Sequence, residues 1–105
     1  MDEQAIIARI RRRGAAGNFV PTAHARDEMD DESISFIEMR QALATCQMLE
    51  DYFDARRGPC CLVYGVAAND RPLHMVCTSV KSTLEIITVY EPKPPRWATP
   101  TQRGK

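Results

Sequence analysis

The sequence has no excess charge of either sign. Fourteen Lys and Arg balance fourteen Asp and Glu over 105 residues. It therefore lacks the strongly basic footprint expected of a nucleic-acid binder. Glycine is scarce, with five residues. No Gly-rich phosphate loop, Gly-x-Ser-x-Gly or His-Glu-x-x-His occurs, which removes the common nucleotide-binding, serine-hydrolase and zinc-protease signatures. The longest uncharged apolar run, Pro59 to Ala68, is far too short to span a bilayer. The acidic start, Met1-Asp2-Glu3-Gln4, and the arginines between Arg9 and Arg13 do not match a secretory signal. Four cysteines are present, Cys46, Cys60, Cys61 and Cys77, but no Cys-x-x-Cys and no His at zinc-finger spacing. The reading is a cytoplasmic protein with thiols as small core hydrophobes, no metal and no cofactor.

What remains is ordinary for one globular domain: 11.9 kDa, 44% hydrophobic and 27% charged. A chain this long buries roughly two-thirds of its unfolded surface, enough for one core. The expected division is a single domain over 1–97 and a flexible tail over 98–105. Charge is unevenly spread. Residues 1–21 carry +2 (four Arg, two acids), 22–54 carry −7 (two Arg, nine acids) and 55–105 carry +5 (eight bases, three acids). A phosphate backbone would favour the last part.

Ile6, Ile7 and Ile10 make an apolar stripe, so 3–13 reads as an amphipathic helix ending near Gly14 or Gly17. Thr22 after Pro21 can N-cap a second helix to about Asp30. Ser35-Phe36-Ile37-Glu38 is a capping box, and Ile34 can staple to Met39. Phe36, Met39, Leu43 and Cys46 then give the third helix, to about Thr45, one buried face. Strands follow at Met48–Asp54, Cys60–Ala67, Leu73–Ser79 and Leu84–Tyr90, joined by turns that imply an antiparallel meander. The nearly continuous apolar run from Cys60 reads as a central strand buried on both faces. The fold expected is α+β, with N-terminal helices on one face of a three- to four-stranded antiparallel sheet and the other face open.

His24 and His74 are the only histidines. Two imidazoles can act as general base and acid near neutral pH, as metal-free RNA cleavage requires. A cation must also neutralise the charge on the phosphorane. Arg26, Arg56, Arg57, Arg71, Lys81 and Arg96 are candidates to bind the phosphate. Tyr90 is placed to stack on a base or donate to a phosphate, or to be a core tyrosine with one wet end. Trp97, after Pro94-Pro95-Arg96, reads as a latch that pins the tail.

Several segments are similar to one bacterial family: Thr22-Ala23-His24-Ala25-Arg26, Glu50-Asp51-Tyr52, and Arg57-Gly58-Pro59-Cys60-Cys61-Leu62-Val63-Tyr64-Gly65. The nearest are Arg71-Pro72-Leu73-His74-Met75-Val76 and Ile87-Thr88-Val89-Tyr90-Glu91-Pro92, with Trp97 beyond. Together they resemble the domain-of-unknown-function 4258 family over roughly residues 20 to 97. The resemblance implies a small α+β domain likened to the RelE-type ribonuclease toxin fold, often found beside small zinc-finger proteins of antitoxin type. His24, Arg26, His74, Tyr90 and Glu91 fall on the matching segments. Family members often carry an Arg-Gly pair before the third helix. Here that stretch, Met29 to Ile34, is acidic.

Two functional expectations follow. The first is a metal-independent endoribonuclease, the toxin of a toxin–antitoxin pair, with His24 as base, His74 as acid, Arg26 or Arg71 as the phosphate cation and Tyr90 positioning the RNA. The second is a non-catalytic protein-interaction module that uses an exposed sheet face or edge. No expectation for oligomeric state arises.

Overall fold

The structure is a computed structural model that describes residues 2–53, 55, 56 and 58–104. Three helices come first: α1 (Glu3–Ala15), α2 (Ala23–Glu32) and α3 (Phe36–Ala44). A two-residue strand, β1 (Val20–Pro21), lies between α1 and α2. The remaining strands are β2 (Gln47–Tyr52), β3 (Cys60–Val66), β4 (Pro72–Thr78), β5 (Glu85–Tyr90), β6 (Trp97–Thr99) and β7 (Gln102–Arg103).

Local chemistry sets the helix ends. Asp2, Thr22 and Ser35 each cap a helix by accepting a backbone N–H. The capping box forms as expected: the Ser35 hydroxyl accepts from the Glu38 N–H at 3.0 Å, and Glu38 accepts from the Ser35 N–H at 2.8 Å. Gly14 does not end α1. It lies inside the helix, where a Cβ would collide with the Leu43 side chain, so the glycine lets α1 and α3 pack closely. The chain turns out of α1 at Gly17, whose φ of 75° favours glycine.

β2 to β5 form the antiparallel meander, within a residue or two of the expected bounds. The sheet nevertheless has five strands and is mixed, in the order β1-β5-β4-β3-β2. β1 adds in parallel beyond β5, with the Val20 N–H donating to Leu84 O and the Thr22 N–H to Ile86 O, both at 2.9 Å. Two residues, one of them proline, carry no period-two signal, and proline is tolerated there because β1 is an edge. α2 closes the same side of β5. Glu28 accepts from the Val89 N–H at 3.0 Å and Glu32 from the Glu91 N–H at 3.0 Å.

The main core lies between the helices and one sheet face. Ile10, Met39, Leu43, Cys46, Cys61, Val63, Leu73, Met75, Cys77, Ile86 and Val89 are buried there. α3 crosses β3 so closely that a Cβ on Gly65 would strike the Ala42 carbonyl oxygen. Register places His74, opposite Tyr64 and Tyr90, on the other sheet face, since Leu73 and Met75 point into the helix-side core. That face is not left open. Residues 97–103, expected as a loose tail after Trp97, form the β6–β7 hairpin, which is seated on it. β3 is buried on both faces, as its apolar run implied.

Candidate functional site

The non-helical sheet face holds a polar and aromatic cluster built on β4, β5, β2 and the hairpin. His74 is at its centre and is fully buried. Its Nε2 lies 2.6 Å from Pro100 O, in the hairpin turn, and its Nδ1 lies 3.1 Å from Tyr90 Oη. A carbonyl oxygen only accepts, so Nε2 carries the proton. In the neutral ring Nδ1 is then the acceptor and Tyr90 donates to it. Trp97 Nε1–H donates in turn to Tyr90 Oη at 3.2 Å. One chain therefore runs from indole to phenol to imidazole to backbone carbonyl, with every partner satisfied.

Rings enclose the imidazole. Trp97 meets it edge-on at 4.3 Å between centroids, Tyr90 at 5.2 Å and Tyr64 at 5.9 Å. Burial is the main force holding the His74 pKa below the ordinary imidazole value. The Pro100 carbonyl and Glu50 oppose that shift, and Arg103 and Arg96 reinforce it. Trp97, 2% exposed, is the latch that its position after the prolines implied.

Two arginines border the cluster. Arg96 is exposed and stacks 5.3 Å over the half-buried Tyr90 ring, and Arg103 lies 4.8 Å over Trp97. Arg103 also grips Glu50 through Nε and a terminal nitrogen, each at 2.7 Å. That pair, with the Tyr52 hydroxyl donating to Glu50, lowers the Glu50 pKa to about 2. Burial and the Glu50 carboxylate raise Tyr52 to about 12.

The other candidates lie elsewhere. His24 is exposed on α2, with its Nε2 3.4 Å from Glu28. Among the described residues no hydrogen bond or ring contact joins it to His74, Tyr90 or Trp97, so the two imidazoles are not brought together. The reason is topological: α2 runs along the β5 edge, whereas His74 points away from the helices. Arg71 has its donors committed inside the fold. Nε binds Glu91 at 2.8 Å, Nη1 binds Ser33 O at 2.8 Å and approaches Glu38, and Nη2 binds Glu32 O at 2.6 Å. It closes the α2 C-terminus onto α3 and β5 and is not a free phosphate ligand. Lys81 is exposed and pairs with Glu85 at 3.3 Å. Arg26 and Arg56 are exposed, and Arg57 lies outside the described residues.

Sequence reasoning found His74, Tyr90, Trp97 and Arg96 but missed Glu50, Pro100 and Arg103 as their partners. The hairpin brings Pro100 and Arg103 to the cluster, Arg103 ties Glu50 of β2 into it, and the hairpin strands of three and two residues are too short to show a period.

All four cysteines are buried. Burial raises the thiol pKa of Cys46 to about 12, of Cys61 to about 11, and of Cys77 well above its usual value, as inert core thiols require. Among the described residues no group of three or more His, Cys, Asp or Glu side chains is placed to hold a metal ion. No helix among them is long and apolar enough to cross a membrane.

Comparison with known protein families gives a match over most of the chain. The family model described as "Domain of unknown function (DUF4258)" matches residues 22–91. The match spans α2 through β5 and takes in His24, His74 and Tyr90. No curated protein and no solved structure matches.

Proposed function

This chain belongs to the DUF4258 family, and we propose that it acts on RNA, as a metal-independent endoribonuclease of toxin type, through the hairpin-bearing sheet face. The observation that carries this reading is the hydrogen bond between Tyr90 Oη and His74 Nδ1 beside the Arg96 guanidinium. Tyr90 is the group that meets the RNA. Its oxygen takes the proton of a 2′-hydroxyl while its own proton passes to His74 Nδ1. The 2′-oxygen then forms its bond to phosphorus, the bond to the 5′-oxygen breaks and that oxygen takes a proton from water, and the hydroxide left behind takes the His74 proton back through Tyr90, restoring the neutral ring. Arg96 offsets the charge on the phosphorane. His74 acts only through Tyr90 and is a positioning residue.

The surface has the right sign. Residues 92–104 carry Lys93, Arg96 and Arg103 and no acid. Lys93 and Arg96 are exposed, whereas Arg103 is committed to Glu50. A zero net charge makes the affinity modest and local rather than steered by the whole molecule. The resemblance to toxin-type proteins adds a small zinc-finger antitoxin as the partner expected in the cell.

A titration of labelled single-stranded RNA at increasing salt tests the surface. Affinity should fall linearly on logarithmic axes. Arg96→Ala should reduce the slope by roughly 0.7, the value of one phosphate contact on a single strand. Absence of RNA binding at low salt, or a slope that Arg96→Ala leaves unchanged, rejects the reading.

One observation favours the second reading, a protein-interaction module. β2 is a sheet edge, and Phe53 directly after it is 71% exposed. An extended partner strand could add there, and Phe53→Ser would then abolish partner capture while leaving RNA affinity intact.

A further inference from the structure

Three polar ties hold the β6–β7 hairpin on the sheet: His74 to Pro100, Trp97 to Tyr90, and Arg103 to Glu50. Two of the three converge on the His74–Tyr90 pair. That arrangement is complete for one protonation state of the imidazole. With Nδ1 bare, Tyr90 donates to it and accepts from Trp97. With a proton on Nδ1, Tyr90 Oη would face two donors, Nδ1–H and Trp97 Nε1–H, and its own proton would have to turn elsewhere. A positive charge would also lie in a fully buried position under an indole ring.

We infer that the hairpin is an acid-loosened strap: protonation of His74 weakens the seating of β6–β7 and uncovers the imidazole beneath it.

The groups facing His74 from each packed element support this assignment. β2 presents Glu50, with Tyr52 bonded to it, and β3 presents Tyr64. β5 presents Tyr90, and the hairpin side presents Arg96, Arg103 and the uncharged Trp97. Two cations oppose one carboxylate, and that carboxylate is already committed to Arg103. The charges together therefore do not rescue a buried imidazolium.

The sign is fixed by linkage. The closed strap binds the His74 proton more weakly than the open one, where the ring meets water. Closure is at full strength above the ordinary imidazole value near 6.5 and weakens as pH falls below it. The Arg103–Glu50 tie does not change in that range, because Glu50 titrates only near 2. The measurement runs over a window from about pH 7.5 to about pH 5, which spans the ordinary imidazole value. The inference goes beyond the RNA reading and holds whether or not RNA is the ligand.

Trp97 is the only tryptophan and lies on the hairpin against His74, so the wild-type chain reports its own strap. Acrylamide quenching of Trp97 should be measured across that window, with far-UV circular dichroism in parallel. Intensity alone is not the readout, because an imidazolium quenches indole on contact. The quenching constant should rise about threefold as pH falls, with a red shift and unchanged dichroism. His24→Gln should reproduce the rise. His74→Gln, whose amide can donate to Pro100 O and accept from Tyr90, should remain flat. A flat wild-type profile, an equal rise in His74→Gln, or dichroism lost in step with quenching would each overturn the inference.

Discussion

Arg71 shows how a residue that reads as a ligand can be a strut. Its guanidinium carries Glu91, approaches Glu38 and caps the last carbonyls of α2 at Glu32 and Ser33. Arg71→Met removes the charge but keeps the stem, and takes a donor from the Glu91 carboxylate and from two carbonyls, whereas Glu38 keeps the Ser35 N–H and Asn69. We expect a loss of about 2–3 kcal/mol in urea unfolding, with no change in the salt dependence of RNA binding. Glu50 behaves differently because it is wetter. Its lowered pKa means that the Arg103 tie contributes above the unfolded carboxyl value near 4.3 and is lost as pH falls toward about 2. Glu50→Gln should therefore flatten the acid limb of hairpin protection, measured by amide exchange of Arg103, between those two values. From sequence, Arg71 read as a phosphate cation and Glu50 as one acid among many. Their roles depend on carbonyls and charges brought in from distant elements, which no spacing encodes.

The elements differ in how plainly the chain announces them. α3 was legible because its signals are local: a capping box at Ser35 and Glu38, then apolar residues at helical spacing. The meander from β2 to β5 was legible because apolar strands alternate with short turns. β1 and the hairpin were not, because each of these strands has only two or three residues and its hydrogen bonds depend on a neighbour already in place. Gly65 is a strong test of the inferred packing between α3 and β3. Gly65→Ala puts a methyl group onto the Ala42 carbonyl, backbone against backbone, and should cost about 3 kcal/mol or more by thermal or urea unfolding. Trp97→Ala tests the hairpin as an element. It removes a buried indole and the donor to Tyr90, so amide exchange over 97–103 should accelerate strongly. Overall stability should drop by up to about 3–5 kcal/mol, the range for truncating a buried tryptophan.

At the scale of the whole molecule, charge and topology divide the chain into two sides. The acids of α2 and α3 lie at the helix side and the β5 edge, whereas Arg96 and Arg103 lie with the hairpin on the far sheet face. Composition alone gave a zero sum, and segment charges gave only the order of the signs. The same topology corrects the pairing of the two histidines. Both were visible in the sequence and both fall in the matched family region, but α2 runs along the sheet edge and β4 turns His74 away from it. Of the residues singled out in the sequence, His74, Tyr90, Trp97 and Arg96 lie together on one sheet face, and His24, Arg26, Arg71 and Lys81 do not join them.

The proposed cleavage of RNA places Tyr90 against the substrate, with His74 behind it and His24 uninvolved. The most direct measurement is cleavage of single-stranded RNA by the purified chain, comparing wild type with Tyr90→Phe and His24→Ala. Tyr90→Phe keeps the ring and deletes only the hydroxyl in contact with His74, and should slow cleavage by about 10²-fold or more. His24→Ala should leave the rate within about twofold of wild type, as expected for an exposed side chain outside the site. Full activity in Tyr90→Phe, or loss of activity in His24→Ala with Tyr90→Phe unaffected, would contradict the account.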